Sequence, residues 1–337
     1  MSTNPIELPL SVIIPNYNNA TDNLLEISIN SIFNNLYIPN ECIIIDDYST
    51  DNSLEFLNRI SSKIPQISII KNDQNIGALE SRKKGILTAR NDYIVIIDGD
   101  DFIEENTLNA AYQILKNDKS DIVTFTPYQT DYDGKNAVEM LKIDTTSFPV
   151  TGKEACARTL GKWEIAAWMI SKKDIYLKAY TGFSPSQFNA DELLSRLVFM
   201  NAKRVSITDK KYFYRNNKNS VTQKKSLRHL DVLKSQLWLI TFAQKNNFNL
   251  TIQRELKRNF LKSSRNILRE HMFYAEGMGT KAFLEQVSKD ILSFQHLDKS
   301  TFIQTLSDTS TLMRIIKLHI LYIYIKFKLK FNKGNKT

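Results

Sequence analysis

The stretch Tyr93-Ile94-Val95-Ile96-Ile97-Asp98-Gly99-Asp100-Asp101 constrains the fold more than any other part of the chain. Five apolar residues, mostly β-branched, run straight into three carboxylates and a glycine. Such a run reads as a strand buried on both faces of a parallel sheet. The acids then fall at the carboxyl edge of that sheet, where open α/β sheets bind ligands. Three carboxylates this close repel one another, and an oxygen-seeking divalent cation, Mg²⁺ or Mn²⁺, would relieve the conflict. The plain alternative is a solvated Asp-Gly turn.

The chain before this stretch repeats one rhythm. Leu10–Pro15 reads as a strand, and apolar spacing over Thr21–Leu36 predicts a helix capped by Thr21 or Asp22. Cys42–Ile45 is a second strand ending in Asp46-Asp47, and Ser49-Thr50-Asp51 would open a helix through Ile60. Ile67–Ile70 is a third strand, followed by Asn75-Ile76-Gly77 and a helix to about Arg90. After the acids come a helix from about Glu105 to Lys116 and the strand Ile122–Phe125. Strands alternating with helices of this length give an α/β fold with a mostly parallel central sheet. Beyond Asp131 the pattern loosens. Trp163–Ser171 reads as a strand region, Asp191 opens a helix, Val205–Tyr214 is extended, and Leu227 to about Phe294 is helical. The expected division is 1–222, a helical region 223–311 and a tail 312–337.

Composition excludes several classes. Two cysteines, Cys42 and Cys156, make no disulfide framework, and four histidines make no zinc site. No secretory signal or membrane-spanning run is visible. The net charge of +9 is concentrated late: after Asp308 there is no acidic residue, while Arg314, Lys317, Lys326, Lys328, Lys330, Lys333 and Lys336 follow. A nucleic-acid binder would interleave its cations with aromatics on the sheet domain, so nucleic acid is not an expected partner. The basic amphipathic tail instead suits an anionic membrane surface, or packing onto the helical region. The expected location is cytoplasmic, peripheral to the inner face of the membrane.

Parallel strands place Pro15-Asn16-Tyr17-Asn18, Asp46-Asp47 and Asp98–Asp101 on one edge. An aromatic ring beside a carboxylate suits a nucleobase, and metal-holding acids suit a diphosphate. No GxxxxGK[ST] or GxGxxG follows the first strand, which removes the P-loop and dinucleotide folds.

The segments SVIIPNYN, IIIDDYSTDNS, NIGALESRKKG and YIVIIDGDD, in this order over Leu10–Asp101, resemble family 2 glycosyltransferases of GT-A fold, of the kind that builds bacterial envelope glycans. The likeness continues through Ala190–Leu194, Tyr212–Arg215 and Ser220–Thr222. It implies a sugar transferred from a nucleotide-diphosphate donor, with uridine preferred, to a hydroxyl of a surface-glycan or lipid-linked saccharide acceptor. It also implies roles: Tyr17 and Pro15 at the base, Asp47 on the uracil N–H with Asp46 supporting the turn, and Arg82 near the phosphates. Asp98 would lie by the sugar or ribose, and Asp100 and Asp101 at Mn²⁺ or Mg²⁺. Asp191, or else its neighbour Glu192, would be the base of an inverting displacement. Arg215 would approach the diphosphate or close a loop, and Trp168 reads as a core aromatic. The family usually has Glu-Asp where this chain has Ala190-Asp191, and Asn where it has Lys83. A non-catalytic nucleotide-sugar binder and a nucleotidyltransferase are the alternatives. The first would be expected to lose acids, and the second to carry a Gly-rich basic loop that PNYNNATDN is not.

Overall fold

A computed structural model describes residues 4–20, 23–182, 190–216 and 230–273. These belong to two compact units, the last stretch forming the second. In the first unit the β-branched runs become β1 (Ile6–Asn16), β2 (Tyr37–Asp46), β3 (Ile67–Lys71) and β4 (Tyr93–Ile96). They lie in the order β3-β2-β1-β4, all parallel, and Asn16 stands opposite Asp46. Side chains alternate across this sheet. Leu10, Val12 and Ile14 share a core with Leu25, Ile29 and Ile32 of α1 (Leu24–Phe33), while α3 (Ala78–Thr88) approaches Ile13 and Ile45 so closely that a methyl group on Gly85 would touch both. With α2 (Ser53–Ser61) this gives helices on both faces, and it explains why the strands are apolar without a break.

The sheet continues through β8 (Met169–Lys172), β6 (Ile122–Thr130), β9 (Val205–Arg215) and the two-residue β5 (Phe102–Ile103), with β7 (Val138–Glu139) against β6. β8 runs antiparallel to both β4 and β6, so β6 resumes the direction of β4. Only the end of Trp163–Ser171 is strand; the residues before Met169 are bends and irregular backbone. The helices α4 (Thr107–Asn117), α5 (Gly152–Ala157), α6 (Lys173–Tyr180) and α7 (Ala190–Asn201) complete the unit. The expected caps Thr21 and Asp22 lie outside the described residues. Asn23, in the left-handed region, precedes α1 and makes no side-chain cap bond.

The second unit is a helical hairpin, α8 (Leu230–Lys245) and α9 (Leu250–Phe273), rather than one continuous pattern. Asn247 takes φ 51°, and Phe248 N–H closes on the Ala243 carbonyl, which ends α8. Leu239, Ile240, Phe242, Phe248, Leu256 and Phe260 are buried. Among the described residues no helix is long and apolar enough to cross a membrane. The tail 312–337 lies outside them.

Candidate active site

Asn16 ends β1 and Asp46 ends β2, and the Asn16 amide donates to the Asp46 carboxylate over 3.0 Å. The other Asp46 oxygen accepts Ser49 N–H. Asp46 is fully buried, so it holds two turns together and touches no solvent. Asp47 is nearly as buried, and its carboxylate accepts Ile76 N–H at 2.9 Å, Gly77 N–H at 2.8 Å and the Asn72 amide at 2.9 Å. Gly77 sits at φ 86°, a conformation side chains resist, and its N–H thereby meets Asp47 just ahead of α3. A carboxylate has about four acceptor sites, so these three donors leave Asp47 one lone pair for a ligand. Beside these anchored acids Tyr17 is 46% exposed, and Tyr48 at φ 65° is 49% exposed. Tyr48 was not expected from the sequence; the signal was its position directly after the acid pair.

The acidic turn divides its three carboxylates among different tasks. Asp98 accepts from the Arg82 guanidinium at 2.7 Å, and both side chains are partly exposed. Asp100 is half-buried, and its carbonyl accepts from Arg215 Nε at 2.8 Å. Asp101, expected at the metal, is 1% exposed and turned into the fold, where it accepts Tyr212 O–H at 2.8 Å and Arg215 N–H at 3.0 Å. Burial, together with the charges of Asp100 and Asp98, pushes the Asp101 carboxyl well above the usual carboxylate range. Of the two expectations for Arg215, the contacts match loop closure. Its side chain is buried, donates to the carbonyls of Asp100 and Tyr132, and lies over the Phe102 ring at 5.0 Å. It closes a loop beneath the acids.

A cavity of about 370 Å³ opens beside this turn, within the roughly 300–1,000 Å³ range of ligand pockets. Arg82 and Asp98 line one part of it, and Asp191, Glu192 and Ser195 from the start of α7 line another. Burial alone would weaken Arg82's hold on its proton, but Asp98 and then Asp191 more than offset this, so its pKa is raised. Glu192 is paired with Arg196 at 3.3 Å, whereas among the described residues Asp191 has no ion pair. Trp163, Trp168, Tyr176 and Tyr214 add aromatic surface. Trp168 thus does two things: it stacks on Tyr212 at 4.8 Å in the core and also faces the cavity.

The residues present bear on a cation in a limited way. Among the described residues no three Asp, Glu, His or Cys side chains gather as a cage. Mg²⁺ and Mn²⁺ bound with a nucleotide commonly take one or two carboxylates and complete their shell from phosphate and water. Asp100, with Asp98 nearby, fits that smaller requirement; Asp101 does not contribute to it.

The mostly parallel sheet, with acids at the carboxyl ends of its strands, has the fold of GT-A glycosyltransferases. The crystal structure of S. aureus TarS 1–349 in complex with UDP-GlcNAc superposes with a TM-score of 0.64, covering 96% of this chain and 92% of that one at 16% identity. Residues 11–168 match the family model described as Glycosyl transferase family 2. That segment, just under half of the chain, carries the family's pattern, and with the relatives that follow it marks the chain as a glycosyltransferase. It is 26% identical to the glycosyltransferase GlyG of Streptococcus pneumoniae over 229 residues, which are 63% of this chain and 72% of GlyG. It is 30% identical to the cholesterol galactosyltransferase of Borreliella burgdorferi over 217 residues, which are 61% of this chain and 59% of that protein.

Proposed function

We propose that the chain transfers a hexose or N-acetylhexosamine from a UDP-sugar, with inversion and with a divalent cation, to a hydroxyl of a surface-glycan or lipid-linked saccharide. One observation carries this reading: Arg82, Asp98 and Asp191 line a single cavity, and Gly99, the neighbour of Asp98, lies against Pro15 and Asn16 at the end of β1. Tyr17, beside Pro15, offers the face on which a uracil stacks, and the remaining lone pair of Asp47 takes the ring N–H. Arg82 brings positive charge to the diphosphate, and Asp98 both orients Arg82 and accepts from a sugar or ribose hydroxyl. Asp191 accepts the proton of the attacking hydroxyl, a contribution of about 10²–10⁴ in rate. The anomeric carbon–phosphate oxygen bond breaks as the bond to the acceptor oxygen forms on the opposite face. Asp100 would hold the divalent cation, whose chemistry there would be charge neutralisation on the departing diphosphate.

The acceptor class draws on the tail's excess of cations, which suits an anionic surface. It also draws on relatives whose names specify a sterol and a poly(ribitol-phosphate) acceptor. The test needs no acceptor. With α-linked UDP-glucose, UDP-galactose and UDP-N-acetylglucosamine, proton NMR of the sugar released to water should show the β anomer first. The α anomer first would refute inversion, and no release from any of the three would contradict the donor assignment.

A further inference from the structure

Arg196 follows Asp191 on α7 and is 4% exposed at its side chain, a costly place for a guanidinium unless it is well partnered. Its partners come from two separate parts of the chain. Nη1 donates to the Glu192 carbonyl at 2.8 Å and to the Glu192 carboxylate at 3.3 Å, both in the first turn of α7. Nη2 donates to the Thr159 carbonyl at 2.8 Å. The guanidinium carbon lies 4.5 Å from the centre of the Trp163 ring. Thr159 and Trp163 belong to the irregular segment between α5 and β8, which has no sheet ladder to hold it. Both joined parts line the cavity, one through Trp163, Ala166 and Ala167, the other through Asp191 and Ser195.

The geometry assigns Arg196 as a positioning residue that clamps the Trp163 wall to the turn carrying Asp191, fixing the distance between these two sides of the cavity. It touches no reacting atom. Its planar fork serves two carbonyls and one ring face at once, which a lysine's single ammonium cannot reproduce. Arg196 also pairs with the Glu192 carboxylate at 3.3 Å, whereas among the described residues Asp191 has no ion pair. This inference rests on the transferase reading of the same cavity.

The test compares wild type with Arg196→Lys and Arg196→Met, each carrying 5-fluorotryptophan, with the Trp163 signal assigned from Trp163→Phe. In Arg196→Lys the Trp163 fluorine resonance should shift and broaden while circular dichroism stays native. UDP affinity should stay within about twofold, because the contacts of Arg196 are to Glu192, Thr159 and Trp163 and not to Tyr17, Asp47 or Arg82. UDP-sugar turnover per folded molecule should fall about tenfold in kcat with donor KM unchanged, the size expected of a misplaced base. Arg196→Met should behave the same way or worse, since it loses the charge as well. A residue that only stabilised the fold would lower the folded fraction and leave the kcat of the folded fraction intact. An unchanged Trp163 resonance or an unchanged kcat in Arg196→Lys overturns the clamp. If wild type neither binds UDP nor turns over donor, the transferase reading fails instead, and the fluorine spectrum alone still decides whether Arg196 orders Trp163.

Discussion

Tyr212→Phe is the most informative single-atom change. The hydroxyl donates to buried Asp101 at 2.8 Å and accepts Asp98 N–H at 3.3 Å, so one oxygen links β9 to two positions of the acidic turn. The ring is fully buried between Trp168 at 4.8 Å and Phe125 at 6.3 Å. Phenylalanine keeps that stack and opens no cavity. A bond to a carboxylate contributes about 1.5–3 kcal/mol, and the longer backbone bond about 0.5–1 kcal/mol, so the expected loss is about 2–4 kcal/mol. For a unit of this size that lowers the midpoint by roughly 5–10 °C. Thermal melts followed by tryptophan fluorescence report it, since Trp168 lies on the altered ring. Combined with Asp101→Asn in a double-mutant cycle, the coupling should reach about 1 kcal/mol or more, as for residues in direct contact. A loss below about 0.5 kcal/mol, or strict additivity, would show that Tyr212 does not hold the acids in place.

Three further outcomes are expected. Asp191→Asn should lower kcat by about 10²–10⁴ while UDP affinity holds, whereas Glu192→Gln should cost far less; steady-state kinetics with a UDP titration separates them. Gly152→Ala should abolish soluble, folded protein, because the added carbon would lie 2.1 Å from the Ala202 carbonyl oxygen and 2.2 Å from that of Phe199, both backbone atoms; soluble yield and circular dichroism check it. Glu41 is buried beside Ser11 and Arg90, and burial raises its pKa, but the bonds from Ser11 and Arg90 outweigh that and hold it below 4.5. With the folded value depressed, its contribution is complete above about pH 4.5 and is lost as pH falls through the lower folded value. Urea midpoints of Glu41→Gln should therefore fall less steeply than wild type below pH 4.5.

The parallel half of the sheet was legible in the sequence because its strands are buried on both faces, and burial on both faces writes itself as uninterrupted Val and Ile. The acids at the strand ends were legible for the same reason: where the apolar run stops, the sheet stops. Which acid faces outward was not legible. Asp101 turns inward because Tyr212 and Arg215, more than 100 positions later, bring donors to it, and no local pattern encodes that. The antiparallel insertion of β8 between β4 and β6 is likewise a property of long-range pairing. The segment before Met169 reads as strand from its apolar content, yet it forms no ladder and instead meets Arg196 through Trp163. Arg196 itself was missed, since a lone arginine in a helix gives no sign of being buried.

The central claim is tested most directly by calorimetric titration of UDP, GDP and dTDP, each with and without Mn²⁺, into wild type and Asp100→Ala. UDP at 100 times its dissociation constant should stabilise the protein by about 2.7 kcal/mol, in a metal-dependent way that Asp100→Ala removes, with GDP and dTDP binding more weakly. No heat and no stabilisation from any of the three nucleotides would contradict the account and leave Asp98 and Asp100 as parts of a solvated turn.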